Sequence, residues 1–224
     1  MLIKFGLLFT LLIGMNAQGQ TYSYKVKYGV IQAGVAELVH QVEGGILNSY
    51  LVIESSPWLS NLWTLSDSIL SEYVIDVGRL TNHTKAIHEG GYHRNYDVSF
   101  SDSNFASVNG KRKAVMTEGL KDIPSLLYDL SNTRFKDGDT LNFNLWDGRG
   151  QGVLNLVVEK VGKPTLLRPF VHTGWKLTPL NSTRKSRENE IRLSMLYSKS
   201  YPHTPLRIEI NTKYGNVSMR LDEP

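Results

Sequence analysis

Cysteine is absent from all 224 residues. No disulfide can staple this fold, and a lipid-anchored bacterial precursor, which needs a Cys at its cleavage site, is excluded. Stability has to come from packing alone. Long apolar runs are missing as well. The longest, Phe5 to Met15, is well short of the roughly 20 residues that span a bilayer as a helix. Charge of one sign is scarce: 25 Lys and Arg are interspersed with 21 Asp and Glu. The densest basic runs, Lys111-Arg112-Lys113 and Arg184-Lys185-Ser186-Arg187, sit in turn-like settings without the aromatic stacking partners of a phosphate-binding surface, so nucleic acid is not an expected partner. No Gly-x-Ser-x-Gly nucleophile elbow occurs. No Pro/Ser-rich linker, low-complexity tract or internal repeat divides the chain, and 41% apolar residues exclude disorder.

What is present begins with an address. Lys4 gives a short positive region, Phe5 to Met15 an apolar core, and Ala17-Gln18-Gly19 small residues at the −3 and −1 positions of a cleavage site. This is the three-part pattern of a secretory signal peptide. Residues 1–19 are therefore expected to be removed, leaving 20–224 as a single β-rich domain in the periplasm or outside the cell, with no transmembrane span.

Period-two patterning dominates the remainder. Tyr22, Tyr24, Val26 and Tyr28 alternate with polar residues, as do Ala36 to Val42, Ile69 to Ile75, Tyr92 to Phe100, Leu141 to Leu145 and Ile191 to Tyr197. Asn109-Gly110 between two short apolar runs is the strongest hairpin signal. About ten to twelve strands follow from this spacing. One segment departs from it: Ile123, Leu126, Leu127 and Leu130 recur at helical spacing behind Asp122, an N-cap, and Pro124 in the first turn. The predicted class is mainly β, an antiparallel sandwich, half-barrel or barrel with one short amphipathic helix on an open sheet face or at a barrel end.

Several elements together carry a resemblance. They are Tyr28-Gly29-Val30-Ile31-Gln32-Ala33-Gly34, Asp67-Ser68-Ile69 with Glu72-Tyr73, Glu89-Gly90-Gly91-Tyr92, Asp122 to Tyr128, Asp137-Gly138-Asp139 and Tyr214-Gly215-Asn216-Val217. In this order they resemble a family of exported bacterial proteins, DUF3108. The resemblance implies a mostly β, envelope-associated domain and brings no activity and no functional residues with it. The family commonly shows an acidic residue before its penultimate strand, where this chain reads Ser198-Lys199-Ser200-Tyr201-Pro202-His203.

Chemistry is thinly signalled. His88 and His93 are five apart with two glycines between them, unlike the one-turn spacing of a zinc protease, so no metal site is expected, nor any cofactor. Gly148-Arg149-Gly150-Gln151-Gly152 precedes a strand rather than a helix, so it reads as a loose hairpin and not a phosphate loop. Tyr92, His93 and Arg94 are the only close set resembling a base, an acid and a charge neutraliser, but alternation sends His93 to the opposite face from the other two. Aromatics are the better lead: Trp58, Trp63, Trp146 and Trp175 could line a groove for a sugar face or acyl chain, or simply pack in the core. The expected function is a non-catalytic envelope module that binds an apolar or glycan ligand, or an envelope protein. The alternative is a polysaccharide lyase or hydrolase.

Overall fold

The structure is a computed structural model that describes residues 18–61, 64–101, 104–162, 174–179, 192–212 and 215–222. Most of the expected signal segment, together with Trp63 and the Arg184–Arg187 run, lies outside the described residues. Among the described residues no helix is long and apolar enough to cross a membrane.

Strands make up one continuous sheet. In chain order they are β1 (Gln18–Tyr28), β2 (Ile31–Glu43), β3 (Ile46–Ser55), β4 (Ser66–Val74), β5 (Arg79–Glu89), β6 (Tyr92–Phe100), β7 (Phe105–Val108), β8 (Lys111–Ala114), β9 (Leu120–Lys121), β10 (Thr140–Trp146), β11 (Gln151–Val161), β12 (Gly174–Pro179), β13 (Arg192–Ser198), β14 (Pro205–Thr212) and β15 (Gly215–Leu221). The spatial order runs from β8 back to β1, then from β15 back to β9, so the chain's two ends pair at the middle of the sheet. All pairings are antiparallel except the short parallel one between β9 and β10. The sheet is therefore mainly β and antiparallel as expected, but it stays open, with β8 and β9 as its edges. β1 begins at Gln18, opposite Val42, two residues ahead of the expected mature start.

The period-two rule explains which side of the sheet is the inside. Tyr24 and Val26 of β1, Ala36 and Leu38 of β2, and Leu47 and Leu51 of β3 are buried, while the alternating residues Lys25, Glu37, Asn48 and Tyr50 are exposed. Among the described residues fifteen strands stand where about a dozen are legible in the sequence. The ones that escape it are β5, β9 and β12, of which β5 matters most below. Asn109 and Gly110 both take positive φ, 48° and 76°, the geometry that lets a two-residue turn follow strand twist. At β8 the edge carries Lys111, Arg112 and Lys113, all exposed, and charge of this kind discourages edge-to-edge pairing. Gly34 serves a different need: a Cβ there would sit 1.9 Å from the Glu54 carbonyl oxygen, so only glycine lets β2 and β3 approach.

Two helices interrupt the sheet. The helix α1 (Pro57–Ser60) is a single turn that carries Trp58. The helix α2 (Ile123–Ser131) is the one expected, and its N-cap is built as a capping box: the Asp122 carboxylate accepts from the Ser125 backbone N–H, and the Ser125 hydroxyl accepts from the Asp122 N–H. Leu126, Leu127 and Leu130 are fully buried in a core cluster that joins Leu38 and Leu51 to Leu145, Leu156, Leu177, Leu193 and Ile208. Residues from the two arms of the sheet thus meet around one helix, which requires the sheet to curl. A second cluster joins Leu47, Tyr73, Leu80, Val98 and Phe100 to Leu120 and Trp146. It closes the gap between the arms with side chains, where no strand pairing does.

Candidate functional site

Between the two apolar clusters the inner face of the sheet changes chemistry. Register places His40, Ser49, Ser71 and His83 directly opposite one another on β2, β3, β4 and β5. All four are buried, and they form a polar row under the N-terminus of α2. His40 Nδ1 lies 2.8 Å from the Ser49 hydroxyl, and His83 Nδ1 lies 2.8 Å from Asp122 Oδ2. Burial pushes the Asp122 carboxyl up, but hydrogen bonding and charge from His83, joined by Ser125, outweigh it and hold the group below its usual range. His40 is lowered to about 4 by burial, which the Asp122 charge offsets only in part. Three atoms of the row, His40 Nε2, Ser71 Oγ and His83 Nε2, have no partner among the described atoms.

Toward the β5–β6 turn the inner face opens to solvent and gathers charge. Lys85 is opposite Tyr96, Ile87 opposite Arg94, and Glu89 opposite Tyr92. The Asp147–Gly150 loop between β10 and β11 lies across this end. Its Gly148 has φ +97°, and a Cβ there would be 3.0 Å from Lys85 Cδ and 3.6 Å from His83 Nε2, so glycine lets the loop seat over β5. Lys85 donates to the Asp147 carbonyl at 3.1 Å, and burial lowers its pKa. Beside it, Asp67 and Glu89 share a hydrogen bond, and both carboxyls are raised, chiefly by burial.

Arg149 leaves the same loop and donates to the Tyr92 hydroxyl at 3.1 Å, while Lys113 of β8 donates to the Arg149 carbonyl at 2.7 Å. The Tyr96 hydroxyl interacts with the Arg149 guanidinium, electrostatically and by a hydrogen bond, and raises its pKa. Arg94 stacks over Tyr92, 5.6 Å from the ring centre. A cleft of about 440 Å³ is lined by Tyr92, His93, Arg94, Asn95, Tyr96, Asn109 and Arg149. Neither Arg94 nor Arg149 makes an ion pair with a carboxylate among the described residues. Two guanidiniums held beside tyrosine rings can receive a carboxylate or sulfate from a ligand, with Asp147 and Glu89 already acting on Arg149 at longer range.

The sequence-level candidates are distributed as follows. Tyr92, His93 and Arg94 all reach the cleft, with Tyr92 and Arg94 interacting and His93 paired instead with His88. The tryptophans occupy separate settings: Trp58 is exposed on α1, Trp146 is buried in the second cluster against Phe100, and Trp175 packs on the first beside Phe135. Trp63 lies outside the described residues. Arg149, Tyr96 and Lys85 were not candidates in the sequence. Arg149 sat in a loop read only for its glycines, and the other two become neighbours only through the β5–β6 register. Among the described residues no set of three His, Cys, Asp or Glu side chains converges on one point.

Comparison with known proteins places this geometry in a family. Residues 23–222 match the family described as "Protein of unknown function (DUF3108)", and the chain belongs to it. No curated protein matches. A solved structure, the crystal structure of a β-barrel-like protein of domain of unknown function DUF1849 from Brucella abortus, is similar with a TM-score of 0.58 at 10% identity, over 91% of this chain and 95% of that one. At that identity the likeness concerns the fold alone.

Proposed function

We propose that this DUF3108 protein is an exported, non-catalytic binding module whose Tyr92–Arg149 cleft takes an acidic glycan. The observation that carries this reading is the pair of guanidiniums, Arg94 and Arg149, set against Tyr92 and Tyr96 in one cleft without a contact ion pair among the described residues. A tyrosine face suits the apolar face of a sugar ring, and a planar guanidinium suits its carboxylate. An acyl chain would leave both arginines unanswered, which favours the glycan over the apolar ligand. The nearest carboxyl pair, Asp67 and Glu89, hydrogen-bonds to itself. Glycosidase carboxyls stand about 5–10 Å apart, with the scissile bond between them. That geometry weighs against the hydrolase alternative. Export rests on the charge, apolar and small-residue segments of residues 1–19.

Calorimetric titration with oligosaccharides of a hexuronic acid and with neutral oligosaccharides of equal length tests the reading. The acidic series should bind, Arg149→Ala should weaken it at least tenfold, and no new reducing ends or unsaturated products should form. Equal affinity for neutral sugars would remove the role given to the guanidiniums, and product formation would make the protein an enzyme. N-terminal sequencing of protein recovered from the host should begin near Gln20. A chain that still carries Met1 would contradict export.

A further inference from the structure

In sequence His88 and His93 are five residues apart, and on one strand they would face opposite sides. They are not on one strand. Gly90 and Gly91 turn β5 into β6, and the register sets His88 directly opposite His93, so the two rings project from the same face of neighbouring strands. The turn is anchored: Gly90 N–H donates to the Thr64 carbonyl at 2.7 Å, and Leu65 bridges to Glu89. The ring centres are 5.1 Å apart with an interplanar angle of 61°.

We propose that His88 and His93 form a two-histidine site for a divalent transition metal ion of tetrahedral preference, Zn²⁺ first. The spacing agrees with the chemistry. A Zn–N bond of about 2.0–2.1 Å, plus about 1.1 Å from ring nitrogen to ring centre, puts two imidazoles on one tetrahedral ion about 5 Å apart, centre to centre. Tautomer agrees as well. His88 Nδ1 lies 3.2 Å from the Ser66 carbonyl oxygen. A carbonyl only accepts, so Nδ1 carries the proton and Nε2 keeps the lone pair that a metal needs. A backbone carbonyl on the second ring nitrogen is the usual support of a metal-bound histidine. The backbone is anchored as well: Asp67 accepts from the His88 backbone N–H at 3.0 Å. Of the described histidines, His40, His83 and His203 are buried, whereas His88 and His93 are accessible. With two protein ligands, two positions stay open for water or for an anionic group of a bound molecule. The inference does not rest on the glycan reading.

Competition titration of the full chain against a chromophoric chelator, with Zn²⁺ alone as the probe, measures the site, and Co²⁺ supplies a visible spectrum that reports tetrahedral geometry. We expect one equivalent of Zn²⁺ at micromolar affinity, with His93→Gln and His88→Gln each weakening it at least tenfold. His93 is exposed, so its replacement should leave the fold unchanged. Serine 66 contributes only its carbonyl, so Ser66→Ala should bind as the parent does. Affinity no better than millimolar, or affinity unchanged in either histidine variant, would overturn the proposal.

Discussion

β2 and β3 on one side, β5 and β6 on the other, follow the same alternation and belong to the same sheet, yet they turn different chemistry inward. The first pair presents Ala36, Leu38, Leu47 and Leu51, which vanish into apolar clusters with α2 and the far arm. The second presents Leu80, Val98 and Phe100 to the second cluster but also His83, Lys85, Arg94 and Tyr96, which meet Asp122, the Asp147 carbonyl and Arg149. His40 and Ser49 carry the polar chemistry back into the first pair, so the change is graded along a row rather than abrupt at a strand. The lesson is that alternation specifies a strand's two faces but not what the inner face is for. Apolar inner residues make a core, and polar inner residues make either a buried network or a site, depending on whether solvent reaches them.

Substitutions can sharpen this contrast. The largest effect should come from Leu126→Ala, a fully buried helix residue in the first cluster, which should lose about 3–5 kcal/mol in denaturant unfolding. Arg149→Ala, in the other region, should change stability by no more than about 0.5 kcal/mol, since its side chain is exposed. If the two variants lost similar stability, the division into a core region and a site region would fail.

The polar row should show itself in pH dependence. His40 has a folded pKa of about 4 against an unfolded 6.5. A depressed pKa means that the unfolded chain takes up the proton first, so the contribution is complete above pH 6.5. It is lost as pH falls from there through about 4, and it amounts to about 3 kcal/mol. Asp122, also depressed, adds its loss at lower pH, below the unfolded carboxylate range. Unfolding curves for His40→Gln should be flatter between pH 6.5 and 4 than those of the parent. Parallel curves would mean that His40 is not a buried neutral imidazole.

A smaller effect should come from Gly148→Ala. Positive φ and the contact with Lys85 should cost about 1–2 kcal/mol and shift the loop that carries Arg149, so ligand affinity should fall more than stability does. Unchanged affinity would separate the loop from the cleft.

Legibility in the sequence followed the same divide. β1 and β6 could be read because large side chains recur on one face at every second position, and α2 because Leu126, Leu127 and Leu130 follow a clear N-cap. β5 was missed. Its inner positions include His83 and Lys85 and its outer ones Asn82 and Thr84, so hydrophobicity does not alternate. The strand that bears most on the candidate site is thus the one that apolar periodicity cannot detect, because the site is what replaced the apolar residues. The turn at Gly90-Gly91 brings together what the chain count separates: counted along the chain, His88 and His93 are five apart, but counted across the hairpin they are opposite each other. Arg149 had no local signal at all, since its partners Tyr92 and Tyr96 lie more than fifty residues away.

By itself the sequence determined the β-rich class, the capped helix, the Asn109-Gly110 turn and the reliance on packing without covalent staples. Each of these follows from interactions among residues a few positions apart, or from composition. Only the tertiary structure decided that the sheet stays open, that side chains rather than strand pairing close its arms, and which inner faces stay wet. Those outcomes depend on the register between distant strands, and a register has no local physical cause that can be read along a single strand.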